Sequence, residues 1–137
     1  MDRRLIADTS GIIAFLDRDD DSHLAVVEII QNHQVFIPAT ILPEVDYLAT
    51  KYLGEKVSRV FLEDLQDGYF TYLPATLDDI TNATKIMTQY KDFPLGLVDA
   101  SLVVLAERYQ ITRILTLDRR HFNTIKTETI PYIELLP

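Results

Sequence analysis

The sequence predicts an α/β fold, a mostly parallel sheet with helices on both faces. Three observations point there. Short apolar runs suited to buried strands alternate with helical patterns. One helical stretch is apolar on nearly every side, as a helix packed inside such a fold must be. Four acidic residues stand at the ends of successive elements, where open α/β sheets bind ligands. With 137 residues, the chain suits one domain, residues 1–137, with a single core.

The elements follow in order. "RLIAD" (4–8) is a short apolar run ending in Asp8 and reads as a buried strand. Ser10 can cap a short helix through Leu16, and "DRDDD" (17–21) is a charged loop. Residues 22–33 form an amphipathic helix with Leu24, Val27 and Ile30 inward, capped by Asp21 or Ser22. "QVFIP" (34–38) is a second strand. Thr40 caps the next helix, "ILPEVDYLATKYL", with Pro43 tolerated in its first turn. Gly54 breaks that helix, and residues 55–67 form another with Val57, Val60, Phe61 and Leu65 inward. "YFTYLP" (69–74) is a third strand, and residues 76–91 form a helix with acids in its first turn, where the dipole favours them. "PLGLVDASLVVLAERY" (94–109) is the all-apolar helix, with Leu97, Val98, Ala100, Leu102, Val103, Leu105 and Ala106 spread over its faces. "TRILTLD" (112–118) and "PYIELL" (131–136) are the fourth and fifth strands.

Composition narrows the chemistry. Hydrophobic residues are 47% and charged residues 25%, the balance of an ordinary globular protein. The absence of cysteine rules out disulfides, thiolate nucleophiles and thiolate metal sites, and suits a reducing cytoplasm. The first residues lack the apolar run and cleavage pattern of a signal peptide, and no segment approaches a membrane span. The formal net charge is −8. A nucleic-acid binder usually carries a basic surface, whereas an acidic balance points to solubility, bound cations or a basic partner.

The acids resolve that tension. Asp8 closes the first strand and Asp118 the fourth, so parallel neighbours would bring both to one edge. Asp99 lies in the first turn of the helix feeding the fourth strand, and Glu44 in the first turn of the helix after the second; both connections end on that same edge. An aspartate in a buried helix needs a partner, and crowded carboxylates raise each other's pKa or take a cation. Without cysteine or a histidine cluster beside them, that cation is a hard one, Mg²⁺ or Mn²⁺. Such an ion binds phosphate oxygens and activates water, which implies phosphodiester hydrolysis through bound metal rather than through lysines.

"IADTSGIIAFL", "PATILPEVDYL", "PLGLVDASLVVLAERY" and "ILTLDRRHF" resemble, in order and spacing, the acidic motifs of PIN-domain proteins, and most closely the VapC-like toxin ribonucleases of toxin–antitoxin pairs. The resemblance spans nearly the whole chain. It implies a three-layer α/β/α sandwich with a five-stranded parallel sheet and a Mg²⁺- or Mn²⁺-dependent endoribonuclease. It makes Asp8, Glu44, Asp99 and Asp118 the catalytic acids, with Asp8, Asp99 and Asp118 on the metal, and Ser10 and Thr116 the supporting hydroxyls. It also implies an antitoxin partner with a basic inhibitory segment. Further acids that many PIN domains carry are replaced here by Leu95, Gly96 and His121, which favours one ion over two.

Each residue also has a plainer role. Asp8 can be a turn residue, Asp99 a complement to the helix dipole and Asp118 a helix cap; Asp46 competes with Glu44. Asp17, Asp19, Asp21 and Glu28 mimic calcium-loop spacing, but Ser22 stands where that loop needs glycine. The histidines His23, His33 and His121 default to surface or packing roles. Arg119 and Arg120 adjoin Asp118 and can contact RNA phosphates. Tyr47, Tyr52, Val60 and Phe61 can form a homodimer surface. The rival readings are a non-catalytic RNA- or protein-binding domain and a phosphorylatable receiver-type domain; the latter wants paired acids at the first strand end and a lysine after the fifth strand, both missing here.

Overall fold

The computed structural model describes residues 1–93 and 95–137. Five strands, β1 (Arg4–Ala7), β2 (Gln34–Pro38), β3 (Thr71–Leu73), β4 (Arg113–Leu115) and β5 (Glu134–Leu136), form one sheet in the order β3-β2-β1-β4-β5. Every neighbouring pair is parallel. β1 is central, and its Leu5, Ile6 and Ala7 are fully buried, as a parallel strand covered on both faces requires.

The strand order dictates the layers. The chain steps from β1 to β2 to β3 through α1 (Thr9–Leu16), α2 (His23–Gln31), α3 (Leu42–Leu53) and α4 (Glu55–Gln66). It then crosses back past β1 to β4 through α5 (Leu77–Gln89) and α6 (Leu97–Tyr109), and reaches β5 through α7 (Arg119–Thr124). Right-handed crossovers running in opposite directions place these two helix sets on opposite faces. The reversal falls between β1 and β4, so a crevice opens beyond their carboxyl ends.

α6 is the buried helix the sequence predicts: Ala100 to Ala106 are all buried, and only Leu97 of its apolar residues is turned out, at 42% exposure. Pro94, with which the sequence pattern begins this helix, lies outside the described residues. α1 presses so closely on β4 that a Cβ on Gly11 would come within 2.6 Å of Leu115 Cγ and 2.9 Å of its carbonyl oxygen. Only glycine permits that approach, and the approach brings the start of α1 beside the residues after β4.

Several local expectations are corrected. Leu24 points to solvent, and Val26 with Ile30 anchors α2, because the helix is docked by its opposite edge. Val60 is exposed, whereas Phe61 is 1% exposed and packs against Phe70 with ring centroids 5.5 Å apart, so it belongs to the core and not to a surface. The third, fourth and fifth strands are shorter than their apolar runs. Thr116 still donates its backbone N–H to Leu136 of β5, and Leu117 and Asp118 turn away, their N–H groups taken by the Ser10 and Thr116 hydroxyls. Neither Ser22 nor Thr40 caps a helix with its side chain. In the 17–22 loop Asp17 and Asp20 instead accept backbone N–H bonds from Asp19 and Ser22, so two of its carboxylates brace the turn itself.

Candidate active site

Asp8 is the N-cap of α1, and its 7% exposure makes it a buried carboxylate. One oxygen, Oδ1, accepts the Thr9 N–H at 2.8 Å; the other, Oδ2, accepts the Thr116 hydroxyl at 2.8 Å. With its hydrogen directed at Asp8, Thr116 Oγ1 accepts from the Asp118 N–H at 3.0 Å and from Ser10 Oγ at 3.3 Å. Ser10 Oγ in turn accepts the Leu117 N–H at 2.9 Å. The two hydroxyls therefore lace the start of α1 to the turn after β4. Ser10 spends its hydroxyl this way, and Asp8, not Ser10, is the N-cap of α1.

Asp99 enters from the first turn of α6 with a side chain 17% exposed. Burial pushes its carboxyl up to about 6, opposed by His121 and reinforced by the charges of Asp8, Asp118 and Glu44. The Asp8 carboxyl is also raised, chiefly by burial and further by Glu44 and Asp118, against the lowering effect of Thr116 and Thr9. Asp118 precedes α7 without capping it, which leaves its carboxylate free to face the crevice. Glu44 stands in the first turn of α3 at the exposed rim. Its competitor Asp46 faces α4 instead, accepting the Ser58 hydroxyl at 2.6 Å. The four predicted acids thus share one electrostatic neighbourhood at the switch point.

Two features escape the sequence reading. His121, assigned there to surface or packing, reaches back from α7 into the acids. Its Nδ1 is 3.0 Å from Asp99 Oδ2 and 3.2 Å from Asp118 Oδ2. Thr40 donates to Ser101 Oγ at 2.7 Å while Ser101 donates to the Val98 carbonyl at 2.7 Å, tying the turn before α3 to α6 beside Asp99. The arginine pair divides. Arg119 donates to the Pro137 carbonyl at 2.9 Å, whereas Arg120 is 86% exposed and leans on Asp118 Oδ1 at 3.7 Å.

The donor set suits a hard divalent cation: carboxylate oxygens, two of them raised by burial and further by their acidic neighbours. Among the described residues no group of three or more His, Asp or Glu side chains is arranged to hold a metal ion. Mg²⁺ does not need one, since it keeps several waters and takes only one or two carboxylates. A cleft of about 380 Å³ lies between α5, α6 and residues 126–129. Its principal pair, Arg108 and the buried Asp79, is already closed at 2.7 Å.

The family model described as the PIN domain matches residues 5–127. The chain belongs to the PIN-domain family. This PIN domain is 35% identical to Ribonuclease VapC26 of Mycobacterium tuberculosis over 124 residues, 89% of this chain and 92% of that protein. Its fold matches crystal structures at lower identity. VapC20 of Mycobacterium tuberculosis, a sarcin–ricin-loop-cleaving toxin, superposes with a TM-score of 0.83 at 15% identity, covering 97% of this chain and 99% of that one. VapBC2 from Rickettsia felis, bound to promoter DNA, matches with a TM-score of 0.69 at 16% identity and 96% coverage of each chain. FitAcB from Neisseria gonorrhoeae matches with a TM-score of 0.70 at 17% identity, covering 97% and 96%. Among the described residues of the PIN domain, no helix is long and apolar enough to cross a membrane.

Proposed function

We propose that this chain is a Mg²⁺- or Mn²⁺-dependent endoribonuclease, the toxin of a toxin–antitoxin pair. The kinship with Ribonuclease VapC26 supports the reaction class. The observation that carries the site is the convergence of Asp8, Glu44, Asp99 and Asp118 at the β1–β4 switch point, with Asp99 pushed up to about 6 by burial and its acidic neighbours.

In this reading Asp8, Asp99 and Asp118 hold the ion. When bound, it supplies Lewis-acid polarisation of a phosphoryl oxygen and a water of lowered pKa. Glu44, solvent-facing at the rim, orients the attacking water. Thr116 aims Asp8 by donating to its carboxylate, against the upward push of burial, and Ser10 holds the turn beyond it. Arg120, with its side chain 86% exposed, meets the RNA phosphates; Arg119, engaged with Pro137, serves the frame. Attack by water in line leaves 5′-phosphate and 3′-hydroxyl ends. Single-stranded or looped RNA suits an open crevice, because a duplex hides its bases.

The antitoxin expected for such a toxin would carry a basic segment that engages the acids, in keeping with the net charge of −8. A homodimer through the exposed Tyr47, Tyr52 and Val60 on α3 and α4 fits their 62%, 68% and 41% exposure, and the working compartment is the cytoplasm. The test is RNA cleavage in purified, metal-defined buffer with wild type and Asp8→Asn. Loss of cleavage with a retained circular-dichroism spectrum is expected. Undiminished cleavage by the variant, or 2′,3′-cyclic phosphate products, would overturn the water-attack assignment.

A further inference from the structure

We propose that Phe93 is the base-stacking residue of this active site: its ring takes an unpaired nucleobase next to the phosphate held at the acids, and so favours single-stranded RNA. The proposal rests on the endoribonuclease reading above and concerns how that site grips its substrate.

Position carries it. Phe93 lies in the turn after α5, where its N–H donates to the Tyr90 carbonyl at 2.9 Å. Tyr90 packs against the core, and its hydroxyl accepts the Lys126 N–H at 2.9 Å. The turn is thereby fixed to the interior and to the segment after α7. The Phe93 ring meets the His121 ring, with centroids 5.9 Å apart and planes at 66°. His121 Nδ1 in turn lies 3.0 Å from Asp99 Oδ2 and 3.2 Å from Asp118 Oδ2. A single imidazole thus stands between the phenyl ring and two of the acids, so a phosphate at the acids brings the base of its own nucleotide within reach of the ring. A tilted edge contact covers at most one face of the phenyl ring, and Phe93 keeps 38% exposure. The other five phenylalanines are buried or half-buried, and the other exposed aromatic residues are tyrosines with a hydroxyl for water. Phe93 is the one phenylalanine left open, and it stands at the crevice.

Charge favours the same approach. Residues 1–76, with α1 to α4, carry 13 Asp and Glu against 6 Lys and Arg. Residues 77–137, with α5 to α7, carry 8 against 7, and two of those eight are the site's own Asp99 and Asp118. An anionic strand is repelled from the first face and comes over the second. There Lys91 precedes Phe93 by two residues, with Asp92 between, and Arg120 adjoins His121; both cations are exposed. Cations along a backbone with an aromatic ring for a base are how single strands are gripped, and every base has a face to stack. In a duplex those faces are already covered by neighbouring bases, so the ring has nothing to take.

The test uses the full chain and short RNAs of mixed sequence, single-stranded or annealed to their complements. Steady-state cleavage in MnCl₂ is measured for wild type and for Phe93→Ala, Phe93→Leu, Phe93→Tyr and Phe93→Trp, with circular dichroism to verify folding. Phe93→Ala and Phe93→Leu should raise KM for the single strands about tenfold with kcat nearly unchanged, the pattern of lost ground-state binding. The tyrosine and tryptophan variants should keep the wild-type KM. The chain has no tryptophan, so Phe93→Trp also supplies a lone fluorophore at the ring's position. In an Asp8→Asn background, where cleavage is blocked, single-stranded RNA should quench it and duplex should not. Wild-type KM in Phe93→Leu, or a fall in kcat at unchanged KM, marks a packing role against His121 and overturns the stacking proposal while leaving the endoribonuclease reading standing. Quenching by single strands in a protein whose wild type cleaves no RNA supports the stacking and overturns the endoribonuclease reading. Neither quenching nor cleavage overturns both.

Discussion

Asp99→Asn is expected to stabilise the fold at neutral pH, and to do so only there. The carboxyl is raised from 3.8 to about 6, with burial the largest cause. A raised carboxyl binds its proton more tightly in the folded chain than in the unfolded one. Its ionisation therefore costs nothing below the unfolded value, costs progressively more between about pH 4 and 6, and costs the full amount above the folded value. Two units would correspond to about 3 kcal/mol for an enclosed group. Asp99 opens onto a solvated rim, and screening reduces this to about 1 kcal/mol, or roughly 3 °C in Tm for a chain of this size. Asparagine keeps the shape and removes the charge. Thermal melts of wild type and variant in EDTA, at pH 4 and pH 7.5, read the difference. A gain of a few degrees at pH 7.5 that disappears at pH 4 is expected. A loss of stability at pH 7.5, or an equal shift at both values, would refute the picture of a carboxylate held at the crevice against its own electrostatics.

Other outcomes follow from the same contacts. Saturating Mn²⁺ in place of EDTA should stabilise wild type at pH 7.5 by about 2.7 kcal/mol at one hundred times Kd, read as a higher Tm, and leave Asp99→Asn unmoved. Thr116→Val removes the hydroxyl that donates to Asp8 Oδ2 and accepts the Asp118 N–H; urea denaturation should show a loss of about 1–3 kcal/mol, with RNA cleavage falling further than stability does. Gly11→Ala places a methyl group within 2.9 Å of the Leu115 carbonyl oxygen, so a loss of about 1–3 kcal/mol by urea denaturation is expected, together with weakened ion binding as α1 and β4 are forced apart. Arg120→Ala should weaken RNA binding in fluorescence anisotropy more than Arg119→Ala does, because Arg119 is held by the Pro137 carbonyl; equal effects would remove the distinction between them.

What could be read from the chain was governed by distance along it. Asp8, Glu44 and Asp99 each lie within four residues of a strand end or a helix start, and a parallel sheet brings such ends to one edge whatever the side chains between them do. α6 was legible because a run of buried residues from Ala100 to Ala106 leaves no polar face to misread. α2 was not: its apolar residues occupy more than half the helix, and periodicity cannot tell which edge will meet the sheet, so Leu24 was placed inside when Val26 is the anchor. Thr40 and Ser10 have the composition of caps, yet both spend their hydroxyls on another element, Thr40 on Ser101 and Ser10 on the turn after β4. Those bonds exist only once the sheet has assembled, so no local rule reveals them. His121 is the sharpest case. It sits three residues after Asp118, a spacing that gives adjacency only if a helix begins there, and α7 is a six-residue helix with no side-chain cap to announce it. The same short turn that hid the histidine carries its ring back over the acids. The residue that joins Asp99 to Asp118 was therefore the one whose position depended most on tertiary structure.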